Sequence, residues 1–247
     1  MYRSFTAFLQ ALSLGAAESR LFELDGVVAS IAPGTPERSF FNSVIYERPE
    51  AIAASLGELE HAYEAAGVGA WTVWVPQVDL ETAALLESAG HVLDAASEAM
   101  VLQLADLEGM DPGDLDWSRD PSLSFVARAN DAAYGYEADT FGRAIGATPA
   151  GTYRMYVARN EGVDAAVLGT LDCSEDCAVL WVATLPAAQG RGLAKRLLSI
   201  ALTEARDRGC STATLQATQA GAPVYRRLGF REIGALQMWE RRAAASG

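Results

Sequence analysis

Three groups of residues in this sequence have types and spacing suited to chemistry. The first is Gln189-Gly190-Arg191-Gly192-Leu193-Ala194, a glycine-rich turn. It follows the apolar, β-forming run 177–184 and precedes Leu193, Ala194, Leu197, Leu198, Ala201 and Ala205 at helical spacing. A turn of this kind leaves backbone N–H groups unpaired at the positive end of a helix dipole. That is a seat for a phosphate-bearing ligand, and a pyrophosphate suits it. The P-loop pattern Gly-x-x-x-x-Gly-Lys-Ser/Thr occurs nowhere in the chain. A dinucleotide fingerprint fails too, because Lys195 stands where its last glycine or alanine belongs. The pattern that remains is Gln/Arg-x-x-Gly-x-Gly/Ala, met by Gln189, Gly192 and Ala194. The second group is Val224-Tyr225-Arg226-Arg227-Leu228-Gly229-Phe230, in which Gly229 reads as a helix-ending glycine and Phe230 as the start of a strand. The third is the loop carboxylates Asp172, Glu175 and Asp176, candidates for a general base.

Composition removes other chemistries. Among 247 residues the formal net charge is −13, which argues against nucleic acid as a partner and suits a cationic amine. His61 and His91 are the only histidines, and neither pairs with Cys173, Cys177 or Cys210 in a metal-ligand spacing, so no metal is expected. Three unframed thiols fit a reducing cytoplasm. Residues 5–14 read as a short amphipathic helix and not a signal-peptide core, and no stretch reaches membrane-spanning length.

The two glycine motifs, in this order and joined by one helix and the strand 211–217, resemble the acetyl-CoA loop and the Tyr-x-x-x-Gly-Phe segment of the GNAT superfamily of N-acetyltransferases. The resemblance spans about residues 115–240. From Leu123 the predicted order is two helices (123–134 and 140–145), three strands, helix, strand, helix, strand, with the family's first strand barely visible before Leu123. It implies an α/β (α+β) fold with a mixed, mostly antiparallel central sheet flanked by helices. The implied cofactor is acetyl-CoA, and the implied reaction is direct acetyl transfer to an amine, either a small molecule or a protein amino group. Cofactor contacts fall on Val182, Ala183 and Thr184, where the family's fourth strand splays from its fifth, and on Gln189, Gly190, Arg191, Gly192, Leu193 and Ala194. Thr218 stands near the family's cofactor-contacting asparagine, and Lys195 adds a positive charge near the phosphates. Tyr225 is the implied general acid, since a phenol with a pKa of about 10 keeps its proton at neutral pH. Asn130 and Tyr134 are candidates to line the acceptor site. The competing function is a non-catalytic acyl-CoA-binding sensor or assembly module, and a monomer or homodimer is expected.

The first half repeats the signature in degraded form. The strand 70–76, helix 81–88, Gly90 and closing strand near 100–104 parallel the elements around Gly229, and Gly90 and Gly229 lie 139 positions apart. No glycine loop precedes its longer helix, and Leu86 takes the place of Tyr225. The expected division is a degenerate GNAT-like domain over 1–110 and an acetyltransferase domain over 111–247, joined by the acidic link 106–114.

Overall fold

A computed structural model describes residues 2–107, 113–137 and 139–243. The centre of the acidic link, 108–112, lies outside them. The first half runs α1 (Tyr2–Leu12), β1 (Arg20–Leu24), β2 (Val27–Ile31), β3 (Ser43–Tyr46), α2 (Pro49–Ala65), β4 (Ala70–Pro76), α3 (Leu80–Ser88) and β5 (Val92–Gln103). The second runs β6 (Trp117–Arg119), α4 (Leu123–Tyr134), α5 (Thr140–Ile145), β7 (Arg154–Asn160), β8 (Val163–Cys173), β9 (Asp176–Thr184), α6 (Leu193–Asp207), β10 (Thr212–Ala217), α7 (Ala222–Arg226) and β11 (Arg231–Arg242). The order from α4 onward is the one expected from the sequence. In the first half, β1, β2 and β3 were not foreseen. All residues of β2 and β3 are buried, so neither carries the polar–apolar alternation that marks a half-exposed strand.

Local signals explain the boundaries that matter. The Ser122 side chain accepts from the Phe125 N–H and opens α4, which Gly135 closes at φ 67°. Helix α6 buries Leu193, Leu197, Leu198, Ala201 and Ala205 against the sheet, the stripe its spacing predicts.

All strands join one 11-stranded sheet in the order β1-β2-β3-β4-β11-β5-β10-β9-β8-β7-β6. Pairing is antiparallel except at β3–β4 and β9–β10. Outward from the central β11/β5 pair, β4 to β1 on one side mirror β10 to β7 on the other. The last strand of each half has therefore crossed over. Residues 98–103 of β5 pair with β10, and residues 236–242 of β11 pair with β4. β5 is also longer than the short closing strand expected near 100–104, because it pairs on both edges.

The cores lie on both faces of this sheet. Helix α6 packs with Met100 and Leu102 of β5, and α2 builds a separate core around Tyr63, Trp71 and Leu59. On the opposite face of β7–β9, helices α4 and α5 share a core with α1, which brings Phe5 and Phe8 against Trp74 and Trp181. Helix α1 thus bridges the halves. Among the described residues no helix is long and apolar enough to cross a membrane.

Candidate acyl-transfer site

The site begins where two parallel strands part. β9 pairs with β10 only over 176–178 and 212–214, so beyond Ala178 the facing edge of β9 is free. On its other edge, β8 pairs Val167 with Ala183 and Gly169 with Leu180, so Trp181 and Val182 together oppose Leu168. This β-bulge puts Trp181 at φ 51°. A left-handed backbone at a bulky residue costs about 1–3 kcal/mol and persists only when packing enforces it. Here the indole lies 4.3 Å from the Tyr153 ring and also meets Phe8 and Phe141.

A cavity of about 570 Å³ fills the gap and ends on the glycine turn. Gly190 and Gly192 hold φ of 76° and 73°, which side-chain-bearing residues rarely adopt, and a Cβ at either meets no atom within 4 Å. Gly192 is the N-cap of α6, so the first N–H groups of that helix have no side-chain cap. The Gln189 amide donates to the Thr184 carbonyl at 3.3 Å and ties the turn to β9. Lys195 and Arg227 bring positive charge to a chain that is otherwise acidic. This open, cationic, glycine-lined seat fits the diphosphate end of coenzyme A, and the free edge of β9 fits an amide-bearing arm.

Val182, Thr184, Gln189, Gly190, Gly192, Leu193, Ala194, Thr218 and Tyr225 all line this cavity. Three other expected residues do not. The side chain of Ala183 lies in the core shared by α1 and α4, the opposite direction from Val182 and Thr184 on the alternating strand, so only its backbone is available. Arg191 turns away to Asn160 at 3.1 Å and Glu161 at 3.8 Å, in the β7–β8 turn. Asn130 is fully buried and donates to the Val126 carbonyl one helical turn back, lining neither this cavity nor the next. The Thr218 hydroxyl accepts from the Gly221 N–H at 3.1 Å and so shapes the turn into α7. Gln216, to which no sequence signal pointed, also lines the cavity, as do Val224 and Arg227 of the tyrosine segment, to which the sequence assigned no role.

Tyr225 packs edge-on to Phe230, and its ring abuts Gly221, where a Cβ would lie 3.2 Å from it. Burial, and then the neighbouring Tyr134, hold its phenol well above the ordinary tyrosine range. It therefore remains a proton donor throughout neutral and mildly alkaline pH. The loop carboxylates are engaged elsewhere. Burial pushes Asp172 up, but two bonds from Arg208 at 2.7 and 2.9 Å outweigh it and hold it below the usual carboxylate range. Asp176 accepts from Ser4, Thr212 and Thr214. Cys177 is buried, and that burial raises its thiol far above its ordinary value, so it is inert. Among the described residues no cluster could hold a metal ion.

A second cavity, of about 510 Å³, adjoins the first and shares Tyr134, Gln216 and Thr218 with it. Its walls come from both halves, with Phe8, Phe40 and Trp74 from the first and Tyr136, Trp181 and Met238 from the second.

The mirror position in the first half lacks the glycine turn. Only Glu47 and Arg48 separate β3 from α2, where residues 185–192 separate β9 from α6. Glu50 in the first turn of α2 would repel a phosphate. The Tyr46 hydroxyl donates to Asp79 at 2.6 Å, and Leu86 is fully buried where Tyr225 stands in the second half.

Residues 151–232 match the family described as acetyltransferase (GNAT) domain. No curated protein matches the sequence. Among solved structures, a GCN5-related N-acetyltransferase from Kribbella flavida is 17% identical, with 99% of this chain and 97% of that one covered at a TM-score of 0.69. One from Sphaerobacter thermophilus is 19% identical, with 88% and 76% covered at 0.60. A tandem GNAT protein from the clavulanic acid biosynthesis pathway, solved without AcCoA, is 11% identical, with 100% and 97% covered at 0.63. At such identities the likeness is one of fold, and it runs the length of the chain. The protein has the GNAT fold, built as two mirrored halves in one sheet, and residues 151–232 of its second half match the GNAT acetyltransferase model.

Proposed function

We propose that the protein is an acetyl-CoA-dependent N-acetyltransferase acting by direct transfer to an amine, with residues 111–247 carrying the reaction and residues 1–110 completing the acceptor side. The observation behind this reading is the convergence on one cavity of the splayed β9 edge, the glycine turn at the start of α6 and the Tyr225 phenol. Acetyl-CoA, when bound, supplies the acetyl group as a thioester.

The glycine turn and the first turn of α6 hold the diphosphate through backbone N–H groups, with Lys195 and Arg227 beside it. The free backbone of Val182, Ala183 and Thr184 aligns the arm, and N–H groups at the bulge polarise the thioester carbonyl. The amine arrives from the second cavity as the neutral base, having lost its ammonium proton to water or a cavity carboxylate. As the new C–N bond forms and the C–S bond breaks, Tyr225 gives its proton to the departing sulfur. The proton shed by the nitrogen passes to solvent, and solvent returns one to Tyr225, which leaves the phenol ready for the next turnover. A free thiol with a pKa of about 8.5 is already a fair leaving group, so the phenol assists the reaction without being indispensable. Three free cysteines fit a cytoplasmic setting.

Calorimetric titration with acetyl-CoA, desulfo-CoA and NAD tests this reading. Binding of both CoA compounds but not NAD is expected, followed by acetyl transfer in an amine screen. If no CoA compound binds, the reading fails.

A further inference from the structure

The second cavity contains one guanidinium with no ion-pair partner among the described residues. Five ionised side chains line it, namely Glu37, Arg38, Asp94, Glu240 and Arg242. Three of them are already matched. Glu240, whose side chain is 3% exposed, grips Arg242 through bonds of 2.7 and 2.9 Å, and Glu37 binds Arg143 at 2.7 Å. Among the described residues, neither Arg38 nor Asp94 has an ion-pair partner within 4.0 Å. Asp94 is exposed at the rim, where water solvates it. Arg38 is half-buried, with its guanidinium carbon 4.8 Å above the Tyr136 ring. The aromatic face orients the cation, and although Glu37 feels its charge, that carboxylate is bonded to Arg143, so no carboxylate bonds the Arg38 guanidinium. A planar guanidinium held at one end of an aromatic pocket is a receptor for a carboxylate.

Its position sets the shape of the ligand. The Tyr136 ring lies 6.0 Å from the Tyr134 ring, and Tyr134 stands where the two cavities join, on the Tyr225 side. An acceptor whose amine reaches that junction and whose other end reaches Arg38 must span the Tyr134 and Tyr136 rings, in a cavity that Phe40, Trp74 and Trp181 also line. Resting on the acyl-transfer reading above, we propose that the acceptor is a primary amine bearing a carboxylate at the far end of a rigid apolar spacer, and that Arg38 selects it.

The test compares three compounds of one shape: para-(aminoethyl)benzoate, phenethylamine and para-(aminoethyl)benzylamine. Each is titrated into the full chain without acetyl-CoA, using the fluorescence of Trp74 and Trp181 in the cavity wall. The benzoate is expected to bind at least about tenfold more tightly than phenethylamine, the scale of one charge-assisted contact. Arg38→Gln should erase that preference while leaving phenethylamine unchanged, and Arg38→Lys should restore part of it. The variants are expected to fold, because the local anchor is the Arg38 carbonyl, which accepts from Asn42, and not the side chain.

Equal binding of benzoate and phenethylamine overturns the proposal. So does tighter binding of the diamine, or an Arg38→Gln variant that weakens all three compounds alike. A parallel acetyl-CoA titration separates the two readings. If acetyl-CoA binds and the benzoate does not, this inference alone falls. If the benzoate binds through Arg38 and acetyl-CoA does not bind, the acyl-transfer reading falls and Arg38 keeps its role as a carboxylate selector.

Discussion

Gly192 is where backbone geometry and ligand binding can be separated most cleanly. Its φ of 73° lies in the left-handed region, and a Cβ there meets no protein atom within 4 Å. Gly192→Ala therefore costs only the backbone penalty, about 1–2 kcal/mol, which lowers Tm by about 2–8 °C in a chain of this size. Gly192→Glu adds a carboxylate at the helix start, where two or more N–H groups are proposed to hold the diphosphate. Each charge-assisted bond contributes about 1.5–3 kcal/mol, so losing two weakens acetyl-CoA binding by about 10²- to 10⁴-fold. The assay is calorimetry on wild type, Gly192→Ala, Gly192→Glu and the control Gly209→Ala. Gly209 has φ 100°, an equally open Cβ position, and lies just past the far end of α6. The control should lose stability yet keep its affinity within about twofold. Wild-type affinity in Gly192→Glu, or an equal loss in Gly209→Ala, would refute the reasoning.

Three further outcomes are expected. Tyr225→Phe should lower kcat by no more than about 10²–10⁴-fold and leave acetyl-CoA affinity unchanged. Because its phenol is held above the ordinary range, the wild-type rate should not fall on account of Tyr225 up to roughly pH 9, and an alkaline limb below that, absent in the variant, would contradict the assignment. His91 is held neutral by burial, and then by Arg241, its pKa lowered from 6.5 to about 4. Its contribution is complete above pH 6.5 and is lost as pH falls toward 4, up to about 3 kcal/mol, so urea midpoints of wild type minus His91→Phe should converge downward with acidification. Residues 111–247 expressed alone should be insoluble or inactive, because β5, lying between β10 and β11, is missing. Co-expression with residues 1–110 should yield a soluble pair that copurifies, and a soluble, fully active fragment would show the halves to be separate modules.

The second half was legible because its signals are local. Apolar spacing marks α6, Ser122 and Gly135 bracket α4, and the two glycine motifs sit at helix ends. The repeat was visible as well, since β5 and β11 begin at 92 and 231, the same separation as Gly90 and Gly229. What sequence hid depends on three-dimensional pairing. No periodicity shows that β5 and β11 exchange places, because each alternates equally well against either neighbour. The bulge at Trp181 gave no sign either, as left-handed backbone in a β-forming run is enforced by distant rings. Side-chain direction was hidden too: the Ala183 side chain joins the core and Arg191 turns to Asn160, both away from the cavity.

The crossed strands also set a timetable for the chain as it is made. β4 cannot gain its inner neighbour until residues 231–242, far downstream of it, have left the ribosome. Until then the first half waits with an unpaired edge, and β5 can have only β10 for a partner. Closing the sheet joins segments far apart along the chain, a contact pattern that slows folding and prolongs exposure of sticky edges. The same late strand could close on a second copy instead of its own chain, which makes domain-swapped dimers the characteristic misassembly of this architecture.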